Sequence, residues 1–151
     1  MLKLKIPPPI YFALFATMMW LASQYFPLYS IIPENKRFVG YIIIAVFLIF
    51  DIWSVLLFFI KKTTINPMKP KNTEKLVVVG LYRISRNPMY VGLAFILFGW
   101  VIHLGALSAF LLLPFFVMVI TLMQILPEEQ VLKQKFGDSY LAYKKRVRRW
   151  I

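Results

Sequence analysis

Two short stretches of this chain hold most of the side chains able to do chemistry. GLYRISRNPMYVG, residues 80–92, sets Tyr82, Arg83, Arg86, Asn87 and Tyr90 at the mouth of an apolar run. PEEQ, residues 127–130, sets Glu128 and Glu129 directly after another. Carboxylates, cations and phenols at one boundary suit a zwitterionic ligand with an aromatic base. The carboxylates take its ammonium and hydroxyl donors, and the aromatic faces cover its ring. The same residue types also anchor ordinary membrane helices at the interface, and residue type alone favours that plainer role. Acids at a helix start also stabilise the helix dipole without any further function.

Three other polar residues stand in apolar surroundings. Asp51 lies inside IFDIW; an intramembrane carboxylate marks a site by default, yet it can also accept bonds from a neighbouring helix. Gln124 falls one helical turn before Glu128, on the same face, where it either caps a helix contact or meets a ligand. His103 reads as a solvated turn residue. With no cysteine and one histidine, thiolate chemistry, disulfides and a His/Cys metal cluster are excluded, so no metal is expected.

These residues need elements to bring them together. Of the 151 residues, 60% are hydrophobic, above the roughly 45–50% of a soluble domain. The expected fold is an all-α integral membrane protein of one domain with four transmembrane helices, near 10–32, 38–60, 89–103 and 106–126. An unbroken helix from 89 to 126 would run about 57 Å, nearly twice the hydrocarbon thickness. Those residues must therefore turn as a hairpin near His103-Leu104-Gly105. The first segment is too long for a removable signal peptide and lacks a small-residue cleavage site.

Charge sets orientation. Seven Lys/Arg lie in the loop 61–88 and seven in the tail 127–151, with Lys3 and Lys5 at the start; the other side has Lys36 and Arg37. The positive-inside rule makes the N-terminus, the loop and the tail cytoplasmic. The net charge of +12 then reflects these loops and contact with anionic membrane lipids, and no nucleic-acid partner is expected. In the tail, Pro127-Glu128-Glu129 reads as a helix start and Gly137-Asp138 as a stop followed by a new cap. Pro114 is expected to kink the fourth helix.

Taken together, LVVVGLYRISRNPMYVG and PEEQVLKQKFGDSYLAYKKRVRRW resemble the C-terminal signature of the isoprenylcysteine carboxyl methyltransferase family, which is similar to the phospholipid N-methyltransferases. Order, spacing and topology match over residues 74–148. The resemblance implies an S-adenosylmethionine-dependent membrane methyltransferase in a prokaryotic plasma membrane, with a cofactor pocket formed by the loop, the hairpin and the C-terminal helices. It also implies the pocket's residues: Glu74, Lys75, Leu76, Val77, Tyr82, Asn87, Pro88, Met89, Tyr90 and Glu128. Asn87, Tyr90 and Glu128 stand nearest the chemistry, and Gln124 and Asp51 lie on the substrate side. The six glycines form no glycine-rich loop, so a Rossmann-type cofactor site is absent.

The chain departs from the pattern at three positions. Asn87 and Glu74 stand where eukaryotic members have histidine. Gln124 stands where the prenylcysteine enzymes carry an arginine, and a neutral amide compensates a substrate carboxylate less well. A carboxylate acceptor is already ionised and needs no base. An amine or hydroxyl needs one, from Asp51, Glu128, Glu129 or a tyrosine. Scarcity of His and Cys fits the base-free route, so O-methylation of a lipid-like or small hydrophobic carboxylate is the expectation. Two other readings remain: a sterol-reductase-like enzyme using NADPH, and a non-catalytic protein that binds anionic lipid.

Overall fold

The computed structural model describes residues 6–60, 76 and 78–151. Among these, the regular structure is helical: α1 (Pro8–Tyr25), α2 (Phe38–Ile60), α3 (Pro88–Leu104), α4 (Leu107–Ile120) and α5 (Leu126–Arg146), with short 3-10 turns at Glu34–Lys36 and Gly80–Arg83. Pro8, Pro88 and Pro127 each stand in the first turn of a helix, where a missing N–H leaves no bond unmade.

Helix α1 stops at Tyr25, short of the expected 32. Pro27 biases Phe26 away from helical geometry, and Phe26 has φ −141°. The chain after it runs across the hairpin end of the molecule. There the Ile31 N–H donates to the Gly105 carbonyl at 2.8 Å and the Leu107 N–H to the Tyr29 carbonyl at 2.9 Å. Gly105, at φ 72°, closes α3 in the left-handed conformation, its N–H bonded to the Val101 carbonyl. A side chain there would be strained, and its Cβ would also lie 2.8 Å from Arg37 Nε.

The helix that follows the hairpin does not end where the sequence pattern ends it. It continues through Pro114 without a break, then widens into a π turn at Thr121–Ile125, where the Leu126 N–H reaches back to the Thr121 carbonyl. Pro127 explains the widening: it has no N–H and its ring crowds the carbonyl four residues back, and a wider turn accommodates both. Pro127 is thus the start of α5 without being a break between helices. Gly137 does interrupt α5, with φ 48° and ψ −123°.

Antiparallel packing of α2 on α3 is close because glycines line it. A Cβ on Gly40 would lie 2.7 Å from the His103 backbone nitrogen, and one on Gly99 would lie 2.7 Å from the Gly40 carbonyl. Between apolar helices, small residues let the backbones approach and van der Waals contact hold them. Tyr41 against His103 and Phe47 stacked on Phe95 at 4.3 Å keep the register towards the polar end, where Asp51 meets Gly92. Helix α1 packs against α3 and α4. Trp100 Nε1 donates to the Ala16 carbonyl, Ser108 Oγ to the Ala22 carbonyl, and Phe15 meets Phe116 edge-on at 5.4 Å. His103 is not the solvated turn residue expected; it lies in the last turn of α3, half-buried between Tyr41 and Trp100, with Nε2 3.0 Å from the Tyr41 hydroxyl.

Much of the apolar surface faces outward. Ile42, Val46, Ile49, Trp53 and Leu56 of α2, and Leu111, Phe115 and Met118 of α4, are exposed. Two stretches, Glu34–Leu56 and Leu107–Arg146, are long and apolar enough to cross a membrane, and Pro88–Leu104 is a shorter apolar helix.

Candidate functional site

Glu129 is the hub of the polar end. Arg149 grips it with two nitrogens, Nε donating to Oε1 at 2.9 Å and Nη2 to Oε2 at 3.1 Å. Arg86 Nη2 lies 3.1 Å from Oε1 and Lys144 Nζ 3.6 Å from Oε2. Burial favours the neutral acid, but the Arg149 hydrogen bonds and the charges of Arg86, Arg149 and Lys144 outweigh it and hold the carboxyl below its usual range. Around this hub the last residues of the chain are tied to residues 85–87. The Arg86 N–H donates to the Arg148 carbonyl at 3.0 Å, while Ser85 Oγ and Asn87 Nδ2 both donate to the Arg149 carbonyl. Arg86 Nη1 reaches the Tyr140 hydroxyl, and the Tyr143 hydroxyl donates to the Tyr82 carbonyl at 2.7 Å. Residues 54 to 64 positions apart in sequence are thereby clipped together.

Glu128 points elsewhere. Its Oε1 accepts the Tyr90 hydroxyl at 2.6 Å, and no cation among the described residues pairs with it. Burial pushes its carboxyl up to about 8, against the pull of the Tyr90 hydrogen bond. The buried Tyr82 lies near by. Its phenol is held well above the usual range by burial, then by Tyr143, Glu128 and Asp51, so both carboxylates act on the same ring. Asp51 itself presses on Gly92, and its Oδ1 is shielded from solvent without a hydrogen-bond partner. One acid of the adjacent pair is thus neutralised three times over, while the other is bonded to one phenol and lies near a second.

A family profile for phospholipid methyltransferases matches residues 35–139, more than half of the chain. The chain belongs to the phospholipid methyltransferase family. An uncharacterised protein of Haemophilus influenzae is 46% identical to it over 63 residues, which is 42% of this chain and the whole of that relative. No solved structure matches it. The match joins α2, the hairpin and most of α5 in a membrane methyltransferase family, and so spans every element of the polar end except α1 and the last residues.

Within this family member the residues expected from the sequence fall into three groups. Tyr82, Tyr90, Glu128 and Asp51 come together as described. Asn87, Pro88 and Met89 lie at the start of α3, but the Asn87 amide is occupied by the Arg149 carbonyl, which gives it the task of holding the tail. Gln124, fully buried in the π turn, donates from Nε2 to the Ile6 carbonyl at 2.8 Å, while its Oε1 has no partner; it bonds the start of α1 across the bundle. Leu76 is half-buried, and Glu74, Lys75 and Val77 lie outside the described residues. Sequence reasoning missed Ser85 and Arg149 entirely and read Glu129 as a ligand-facing carboxylate, a helix-start acid or a base, without the arginines that hold it. Nothing in the spacing of Glu129 and Arg149 marks them as partners; their meeting depends on the clip.

Proposed function

We propose that this phospholipid methyltransferase family member is an integral membrane enzyme that takes its methyl group from S-adenosylmethionine and gives it to a lipid-like or small hydrophobic acceptor. In this reading four helices span the membrane, with the N-terminus, the loop 61–88 and the tail on the cytoplasmic side. The observation that carries it is the unequal treatment of two adjacent acids. Three cations converge on Glu129 and none among the described residues reaches Glu128. A buried carboxyl without a cation keeps its proton until a ligand brings donors or positive charge that favour its ionised form. The proposed cofactor brings both, in its ammonium and ribose hydroxyls, and the phenols of Tyr82 and Tyr90 suit its purine.

Bound there, the cofactor would supply a methyl group made reactive by a sulfonium. The chain's own residues have simpler tasks. Tyr90 fixes one oxygen of Glu128 and leaves the other for a ligand donor. Arg86, Arg149 and Asn87 hold the loop and tail in register, so that the site is assembled before the ligands arrive. The apolar helices exclude water, which strengthens each charge interaction inside.

Calorimetry on the detergent-solubilised protein tests the reading. S-adenosylmethionine or S-adenosylhomocysteine is expected to bind with micromolar affinity, and Glu128→Ala to lose that binding while remaining folded. Binding of NADPH alone would point to reductase chemistry, and binding of no nucleotide at all to a lipid-binding protein; either overturns the proposal.

A further inference from the structure

The hairpin end, away from the polar end described above, holds an arginine whose donors the fold leaves idle. Arg37 follows the Glu34–Lys36 turn. Its side chain lies across the turn between α3 and α4, where a Cβ on Gly105 would come 2.8 Å from Nε and 3.2 Å from Nη2. Among the described residues its partners are distant. Nη2 lies 3.4 Å from Ser30 Oγ, beyond the usual N–H···O range, and Nη1 lies 3.9 Å from Glu34 Oε1. The Glu34 side chain is 87% exposed, and an ion pair of that length in water contributes little. Nε is shielded from solvent without any partner, which costs free energy until an acceptor arrives.

The surroundings say which kind of acceptor fits. Backbone bonds fix the three segments that meet there: the Ile31 N–H donates to the Gly105 carbonyl, the Leu107 N–H to the Tyr29 carbonyl and the Gly40 N–H to the Arg37 carbonyl. The guanidinium and the Ser30 hydroxyl are therefore preset side by side. Just before Ser30, the residues Tyr25, Phe26, Leu28 and Tyr29 are 69–72% exposed. Leu28 holds φ 57°, a conformation that costs a side chain free energy, and the strain goes with a run left outside the bundle. An anion that carries its own apolar chains answers both features. Its charged group takes the guanidinium fork, which matches phosphate geometry, and its chains lie against exposed rings of the kind that sit at a membrane boundary.

We propose that Arg37 and Ser30 bind the head-group phosphate of one membrane phospholipid at the hairpin end, with the exposed Lys36 adding charge beside them. The contact differs from a general attraction of the basic tail to anionic lipid, because Lys144 and Arg149 lie at the polar end with Glu129. It also holds whether or not the polar end binds a cofactor. Gly105 belongs to the site, since any side chain there displaces the guanidinium.

The test uses the full-length protein in mild detergent and native mass spectrometry, with phosphatidylglycerol, a diacylglycerol of the same chains and inorganic phosphate as probes. One phosphatidylglycerol is expected to stay tightly bound per chain, displaced by neither of the other two. Arg37→Gln is expected to weaken that site about tenfold or more, and Ser30→Ala to weaken it less. Lys145→Gln, exposed on α5, should leave it unchanged. Because the contacts of Arg37 within the chain are long, Arg37→Gln should melt with the wild type when no lipid is present. Equal affinity in the wild type and Arg37→Gln overturns the proposal. Displacement by diacylglycerol overturns it by making the contact apolar only, and displacement by inorganic phosphate by making it an ion site. An equal loss in Lys145→Gln would return the binding to general charge attraction. A lower melting temperature of lipid-free Arg37→Gln overturns it too, by making Arg37 a strut of the hairpin end.

Discussion

Glu128 and Glu129 are neighbours in sequence with opposite electrostatics, and their responses to pH run in opposite directions. Burial raises the Glu128 carboxyl from 4.5 to about 8. Between those values the folded protein keeps a proton that the unfolded chain has released, so this residue's contribution to stability falls as pH rises through the window. Glu128→Gln stays neutral throughout. The melting temperature of the variant is therefore expected to gain on the wild type as pH rises from about 5 to 8 and to hold its lead above that; a constant gap would show that Glu128 is not buried as described. Glu129, held low by its cations, contributes stability above its unfolded value that is lost as pH falls through the folded one. Glu129→Gln leaves Arg86, whose side chain is only 7% exposed, without a charge partner. Breaking a buried pair costs about 3–5 kcal/mol, and with Lys144 and Arg149 partly solvated the lower end is expected, read as a fall in denaturation midpoint.

At the scale of elements, the sequence pattern carried well where one physical cause dominated. Helix α2 was legible at both ends because a long apolar run lies between charged flanks. The hairpin was legible because a single helix of that length would overrun the bilayer, and Gly105 marks its turn. What stayed hidden depended on contacts distant in sequence. The π turn arises from Pro127 acting on the helix before it, and the Glu129 hub arises only when the chain's last residues return to 85–87. Helix register was invisible for the same reason, since Gly40 and Gly99 read as ordinary glycines until α2 and α3 are laid side by side. Because Asp51 and Tyr90 ride on those two helices, their crossing sets the site's geometry. Gly40→Ala drives a carbon towards the Gly99 carbonyl and the His103 nitrogen. Overpacking of this kind costs about 1–3 kcal/mol, so the variant should melt lower and, if the helices separate, also lose cofactor affinity. Full retention of both would show that the crossing is looser than its glycines imply.

The whole molecule is asymmetric along the helix axes. Among the described residues, Arg86, Lys144 and Arg149 meet at one end, while Arg37 lies beside Gly105 at the other. The hairpin end is instead stitched by backbone bonds between residues 29–31 and 105–107. α1 and α3, at 18 and 17 residues, are about 27 and 26 Å long, close to the roughly 30 Å of hydrocarbon. By length each therefore matches the membrane, and their crossing beside α2 and α4 is part of the proposed reading. In the reading proposed above, the site lies at the charged face, where a water-soluble methyl donor reaches it while an apolar acceptor arrives through the lipid. The absence of cysteine makes the orientation directly testable, because a single introduced thiol reports alone. In intact cells a membrane-impermeant maleimide should label Asn35→Cys, exposed beside the hairpin end, and should reach Ser139→Cys, exposed on α5, only after lysis. Labelling of Ser139→Cys in intact cells would put Glu128 on the outer face, away from any cytoplasmic supply of the cofactor, and would remove the physical basis for a methyltransferase site at this end.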